Sequence, residues 1–245
     1  MRLLREWLAA VQFLTRIPVP SYRYEPDMIM ASAKFFPLVG ALVGLGAVAI
    51  QWLLRTHLAA TVIAAAVLVY FVLLTGGLHE DGLADTCDGL GAGGERQRML
   101  NVMRDSRIGS YGALAIVFSV LVRWALLAAI SPVNFGAYVI AAQVLCRWTA
   151  LPLAAFLPSA RSDGVGEKLA QKVSIRALVL ATALTLAIVG LSLRMHMLLP
   201  VAAVIAVTVA SGVVYRFKLG GITGDCFGAT NQLAEMAVYL CAVWT

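Results

Sequence analysis

This chain is short of charge. Of its 245 residues 13% are Asp, Glu, Lys or Arg and 61% are hydrophobic, with a mean hydropathy of +0.86. A soluble domain typically carries about 25% charged and about 45–50% apolar residues, so the ordinary soluble classes are excluded. Cysteine is scarce as well: Cys87, Cys146, Cys226 and Cys241 are scattered, with no C-x-x-C pair. That excludes a disulfide framework and a structural zinc site and leaves free thiols. The N-terminus does not read as a cleavable signal peptide, because Gln12 and Arg16 interrupt its apolar run and no small-residue cleavage site follows. Acidic residues number only 13 against 19 basic ones.

What the chain has instead is long apolar runs, several near the roughly 20 residues that a helix needs to cross a bilayer. A spanning segment must satisfy its own backbone hydrogen bonds, so these runs predict helices. The reading is an all-α, polytopic membrane bundle of about seven spans, at roughly 35–54, 58–78, 110–130, 134–157, 177–193, 197–215 and 227–244. Residues 1–245 form one membrane domain. Within its N-terminal segment 1–34, the helical spacing of Leu3, Leu4, Trp7, Leu8, Val11 and Leu14 predicts a helix lying in the membrane interface, ended by Pro18 and Pro20.

Charge then orients the bundle. With the N-terminus inside, 15 basic residues fall on the inner side: Arg2, Arg5, Arg16, Arg23, Lys34, Arg96, Arg98, Arg104, Arg107, Arg161, Lys168, Lys172, Arg176, Arg216 and Lys218. Only Arg55 and Arg194 fall outside. The positive-inside rule therefore predicts a cytoplasmic N-terminus and puts the long loops 79–109, 158–176 and 216–226 in the cytoplasm. The net charge of +6 is explained by this basic face, with no nucleic-acid partner implied.

Six of the 13 acidic residues gather in one stretch: Glu80, Asp81, Asp85, Asp88, Glu95 and Asp105. Asp81, Asp85 and Asp88 are spaced i, i+4, i+7, which puts them on one face of a helix. Like charges so placed repel, and a bound cation removes the conflict. Hard carboxylate oxygens with room for substrate phosphates suit Mg²⁺, with Mn²⁺ a substitute. Ordinary surface acids would account for one or two of the three, but not for the glycines at 76, 77, 82, 89 and 91. Region 79–109 is thus read as a cytoplasmic catalytic loop.

Arg104 and Arg107 supply guanidinium forks matched to phosphate oxygens. Asp105 between them either ligates metal or orients an arginine. Arg147, costly inside a span, is placed to line a cavity above the metal. Arg123 either snorkels or pairs within the bundle. His79 beside the carboxylates is a candidate base or a hydrogen-bonded structural residue, and Arg16, Asn231 and Glu235 are weaker cavity candidates. Gly76-Gly77-Leu78-His79-Glu80-Asp81 is echoed by Gly220-Gly221-Ile222-Thr223-Gly224-Asp225. Each follows an apolar run, the kind of weak internal symmetry that duplicated membrane halves leave, so Asp225 is a second-element partner for the cluster.

The run from Gly76 to Gly89 resembles the signature of the cobalamin synthase (adenosylcobinamide-GDP ribazoletransferase) family. Met103-Arg104-Asp105-Ser106-Arg107-Ile108-Gly109 resembles its second block, and Phe13-Leu14-Thr15-Arg16-Ile17-Pro18-Val19-Pro20 and Gly220–Asp225 continue the likeness. The resemblance implies a Mg²⁺-dependent transferase of the bacterial inner membrane, late in vitamin B12 assembly. Adenosylcobinamide-GDP and α-ribazole, or its 5′-phosphate, would give adenosylcobalamin, or its phosphate, and GMP. The physical reading and the resemblance together put the metal on Asp81, Asp85 and Asp88, with Arg104, Asp105, Arg107 and Asp225 acting on phosphate and proton; from the residues alone, Arg16, His79 and Arg147 are the substrate-binding candidates. A homo-oligomer is left open. Two other diphosphate enzymes compete: a CDP-alcohol phosphotransferase, whose D-G-x-x-A-R pattern fails at Asp85, and an intramembrane prenyltransferase, whose second Asp-rich motif is missing around Asp225. A cation transporter is disfavoured because the acids gather at one mouth.

Overall fold

A computed structural model describes residues 2–20, 26–161 and 173–244. Arg23, Lys168 and Lys172, counted above on the inner side, lie outside these residues. The described elements are α1 (Arg2–Leu14), α2 (Pro26–Ser32), α3 (Phe36–Leu54), α4 (Ala60–Thr75), α5 (Leu78–Ala92), α6 (Arg96–Val102), α7 (Ser110–Ala129), α8 (Pro132–Trp148), α9 (Ala150–Phe156), α10 (Ile175–Leu193), α11 (Leu198–Leu219) and α12 (Gly224–Trp244). Among the described residues the extended pairing is one parallel bridge, Ser159 to Ile222. The all-helical expectation holds.

The outward faces explain the composition. On α7, Leu114, Val117, Phe118 and Leu121 all point outward and are more than half exposed. An apolar face of that kind fits hydrocarbon as its solvent. By length and composition four helical stretches can cross a membrane: Met28–Leu54, Ser110–Ala129, Pro132–Phe156 and Ile175–Leu219. A fifth counts if α4 and α5, bent by 87° at their junction, are taken together.

The expectation of about seven rested on three segments that differ from the others. At 16 residues, α4 falls short of a full crossing. The 175–219 stretch counts once, although Arg194 at φ +53° breaks it into α10 and α11. Finally, α12 carries Asp225, Asn231, Gln232 and Glu235, and all but Asp225 are buried, so its polarity faces the bundle interior.

Two crossings set the frame. Helix α3 packs on α8 through Gly40 and Gly44, where added methyls would strike the backbone of Gln143 and Ile140. Small residues four apart let membrane helices approach this closely. Helix α5 crosses α12 in the same way: a methyl on Gly82 would sit 2.7 Å from the carbonyl oxygen of Asp225 and 3.1 Å from the Cα of Gly228. Helix α1 buries Ala10, Val11 and Leu14 while Phe13 stacks on Phe36 at 5.8 Å. Its buried Glu6 pairs with Lys34 at 2.7 Å, which anchors the N-terminal helix to the start of α3.

Candidate active site

The region expected as a loop, 79–109, folds largely as α5 and α6. Helix α4 ends at Gly76 and α5 starts after Gly77, at φ +68° and +72°. Only glycine takes two successive left-handed positions without strain, and this pair makes the 87° bend. With four acidic residues in 15, α5 is no ordinary apolar span: Glu80 reaches Arg123 inside α7, while Asp88 lies back at the start of α7, at the mouth of the bundle. The echo has a counterpart in three dimensions: α11 ends at Gly220 in the same left-handed conformation, φ +73°, and α12 follows with Asp225 in its first turn. Both helices thus begin with an aspartate near one crossing, at Gly82 and Gly228.

Asp81, Asp85 and Asp225 are the carboxylates that this crossing brings near one another. Partial burial, then the charges of Asp225, Asp81 and Asp88, push Asp85 up to about 7 from an ordinary 3.8. Asp225 accepts the hydroxyl of Thr223 at 3.2 Å and pairs with Arg161 at 3.5 Å. Arg161 went unremarked in the sequence beyond its charge. It is delivered by the bridge in which Ile222 N–H donates to the Pro158 carbonyl and Ala160 N–H to the Ile222 carbonyl. A long-range pairing of this kind leaves no local pattern to find.

Asp88 serves the site differently from the expectation. Its two oxygens accept the backbone N–H groups of Gly109 at 2.7 Å and Gly112 at 2.8 Å, so it caps the start of α7. Those bonds compete with a metal for its lone pairs, which leaves Asp81 and Asp85 as the freer oxygens on α5, with Asp225 near them. Among the described residues no three Asp, Glu, His or Cys side chains form a ready-made ion cage. Mg²⁺ does not require one, since it usually takes one or two carboxylates and completes its shell with water and substrate phosphate. The crowding that raises Asp85 is what a divalent cation would relieve, so the residues present fit the ion.

Beside the carboxylates opens a cavity of about 220 Å³. Asp81, Asp225, His79, Arg147 and Asn231 line it together with Phe13, Leu14, Phe36 and Phe227. Arg147 is 2% exposed and its Nη1 donates to Gln143, at 3.1 Å to the backbone oxygen and 2.6 Å to Oε1. His79 is 8% exposed and its Nε2 has no hydrogen-bond partner.

Deeper lies a polar network. Arg123, 1% exposed, pairs with Glu80 at 3.1 Å and Glu235 at 3.5 Å. Tyr239 donates to Glu235 at 2.9 Å and receives the amide of Gln143 at 3.2 Å. Of the two roles open to Arg123, pairing within the bundle is the observed one. Glu235, taken as a cavity candidate, belongs to this network.

Besides Asp85 and Asp88, four expected site residues do not line this cavity. Arg16 lies across Gly76 and lines a separate groove with Tyr70 and Leu73. Asp105 and Arg107 grip each other: Nε and Nη2 of Arg107 reach the carboxylate at 3.1 and 2.8 Å. The Arg107 guanidinium holds Asp105 down at about 2, which makes it a poor proton acceptor at neutral pH. A phosphate would have to displace Asp105 to use both donors of Arg107. Arg104 is exposed on the same turn and is likewise absent from the cavity wall.

The comparisons agree with the motifs. The family model described as cobalamin-5-phosphate synthase matches residues 6–243. A protein of Azorhizobium caulinodans named adenosylcobinamide-GDP ribazoletransferase is 42% identical, covering 96% of this chain and 94% of its own length. Namesakes from Albidiferax ferrireducens (97% of this chain, 96% of their own) and Polaromonas sp. (96% and 95%) are 39% and 36% identical. No solved structure matches. Matched almost end to end, this chain belongs to the cobalamin-5-phosphate synthase family.

Proposed function

We propose that the protein transfers the adenosylcobinamide-phosphate group of adenosylcobinamide-GDP to α-ribazole or α-ribazole 5′-phosphate, releasing GMP. The observation that carries this reading is that Asp81 and Asp225 meet at the wall of a cavity that also holds a buried arginine, with Asp85 close to both. A ribose hydroxyl attacks the phosphorus on the cobinamide side of the diphosphate. The new P–O bond forms as the bond to the bridging oxygen breaks, and GMP leaves with that electron pair. The hydroxyl proton passes to a carboxylate. Asp225, on the cavity wall, is our candidate in preference to the clasped Asp105.

Such phosphoryl transfer relies on positioning and charge stabilisation more than on covalent chemistry. Asp81 and Asp85 would hold Mg²⁺ or Mn²⁺, leaving Asp225 free to take the proton. Bound there, the ion would neutralise diphosphate oxygens and the departing GMP. Asp88 would hold the start of α7 against α5 and keep Asp85 in place. Arg161 would keep Asp225 oriented, and Arg104 and Arg107 remain candidates for the outer phosphate of the donor. The basic face of the chain supports a site facing the cytoplasm from the bacterial inner membrane.

Purified Asp81→Asn and Asp85→Asn proteins test the reading, assayed for GMP release against Mg²⁺ concentration. Loss of turnover, or a large rise in the Mg²⁺ requirement, is expected in both. Folded variants that keep full Mg²⁺-dependent transfer would sink the metal assignment.

A further inference from the structure

We propose that an anionic phospholipid of the surrounding membrane docks where α1, the start of α3 and the start of α10 meet, with its headgroup phosphate on Arg2, Lys34 and Arg176. This face is distinct from the carboxylate site, and lipid binding there does not depend on the transferase reading.

The three cations come from separate parts of the chain and line one open groove of about 570 Å³. Among the described residues the one carboxylate in its wall is Glu6, and that acid is already engaged. Lys34 reaches it at 2.7 Å and Arg2 at 3.0 Å. Burial works against the charge of Glu6, but the bonds from Lys34 and Arg2 outweigh it and hold the carboxyl below its ordinary value. Arg176 has no carboxylate within ion-pair distance among the described residues. Three cations against one anion leave the groove two charges positive. All three cations can be reached: the Arg2 side chain is 88% exposed, that of Lys34 22%, and Arg176 is exposed. Guanidinium forks and an ammonium so gathered match phosphate oxygens.

The rest of the wall says which phosphate. It is apolar, formed by Met30, Ala31, Ala177 and Leu180. Leu180 points outward from α10 together with Ile175 and Val179, each more than half exposed. Helix α10 opens the stretch Ile175–Leu219, which is apolar enough to cross a membrane. The groove is therefore basic at the helix start and runs out onto a surface suited to hydrocarbon. A soluble anion would use the first part alone, whereas a phospholipid uses both, with its phosphate on the cations and an acyl chain along Leu180. Basic pockets between helices at one side of a membrane hold anionic headgroups in this way. Helix α1 lies at the matching level, since Leu3 and Leu4 are exposed beside Arg2, as in a helix resting in the interface.

Such a clasp ties α1 to α3 and α10. The far end of α1 carries Phe13 and Leu14 into the wall of the cavity beside the carboxylates, so the lipid steadies that wall from a distance.

The test titrates delipidated full-length protein in detergent with dioleoyl-phosphatidylglycerol, dioleoyl-phosphatidylcholine or inorganic phosphate and reads the melting temperature. Phosphatidylglycerol should raise that of wild type, and the other two at equal concentration should not. From the contribution of one basic residue near a membrane surface, Arg176→Gln should shift the half-saturating concentration upward at least about fivefold. Arg2→Gln should do the same, and decides the matter should Arg176→Gln fail to fold. Arg98→Gln removes an exposed charge from α6, away from the groove, and should leave the midpoint within about twofold. Phosphatidylcholine that serves as well would mean a groove for acyl chains that does not read charge. Inorganic phosphate that serves as well would mean a soluble-anion site. Equal weakening in Arg98→Gln and Arg176→Gln would mean diffuse attraction to the whole basic face. Each of these outcomes overturns the proposal.

Discussion

Replacing Arg123 by methionine keeps an apolar stem of similar reach and removes the guanidinium that Glu80 and Glu235 share. Arg123 is 1% exposed, the two pairs measure 3.1 and 3.5 Å, and the side chains of Glu80 and Glu235 are 13% and 3% exposed, so neither carboxylate has much water to fall back on. Breaking a buried pair by removing one partner costs about 3–5 kcal/mol, because the other charge stays behind. Two charges stay behind here, which puts Arg123→Met toward the upper end. At ~2–4 °C per kcal/mol for a chain of this length, the melting temperature in detergent should fall by roughly 6–20 °C. Neutralising the stranded acids should reverse most of the loss, since exchanging a whole buried ion cluster for neutral groups is often close to neutral. The triple variant Arg123→Met, Glu80→Gln, Glu235→Gln should therefore melt well above the single one. An Arg123→Met protein melting within about 2 °C of wild type would refute the reasoning. So would a triple variant no better than the single.

Gly82→Ala puts a methyl 2.7 Å from the Asp225 carbonyl and should push α5 off α12. Overpacking of this kind costs about 1–3 kcal/mol, but turnover should fall by more than the folded fraction does, and equal falls would contradict the crossing's role. Asp85 makes metal-free stability depend on pH. Its folded value of about 7 lies above the ordinary 3.8, so between about pH 4 and 7 the native state holds the extra proton. Stability from this group is therefore full below about pH 4 and lost as pH rises through 7. Melting curves in EDTA should show that decline, while Asp85→Asn or added Mg²⁺ flattens it; an unchanged slope in Asp85→Asn would assign it to another group. Arg161→Gln leaves Asp225 without its cation at 3.5 Å and should lower kcat while the fold survives. Unaltered kcat would show that Asp225 needs no such support.

Much of this molecule was legible in its residues because the relevant patterns are local. Apolar runs and backbone hydrogen bonding demand helices, and α1, α3, α7, α8, α10, α11 and α12 fall close to where hydropathy puts them. The spacing of Asp81 and Asp85, and the echo of Asp225, named the carboxylates that the fold brings together at Gly82 and Gly228. The GGLHEDGLADTCDG and MRDSRIG blocks were enough to point to the family. Tertiary structure decided the rest. An i, i+7 spacing says that Asp88 shares a face with Asp81, but not that the start of α7 will arrive to occupy its oxygens. Arg16, Arg123 and Arg147 look alike as lone arginines near or within apolar runs. Only packing separates them: Arg16 lies over a helix end, Arg123 sits between two carboxylates, and Arg147 faces a cavity with no anion of its own. Composition selects the solvent a helix must meet and the chemistry a residue is able to do. Which partner a buried charge finds depends on helices far apart in the chain, and that is settled only when they pack.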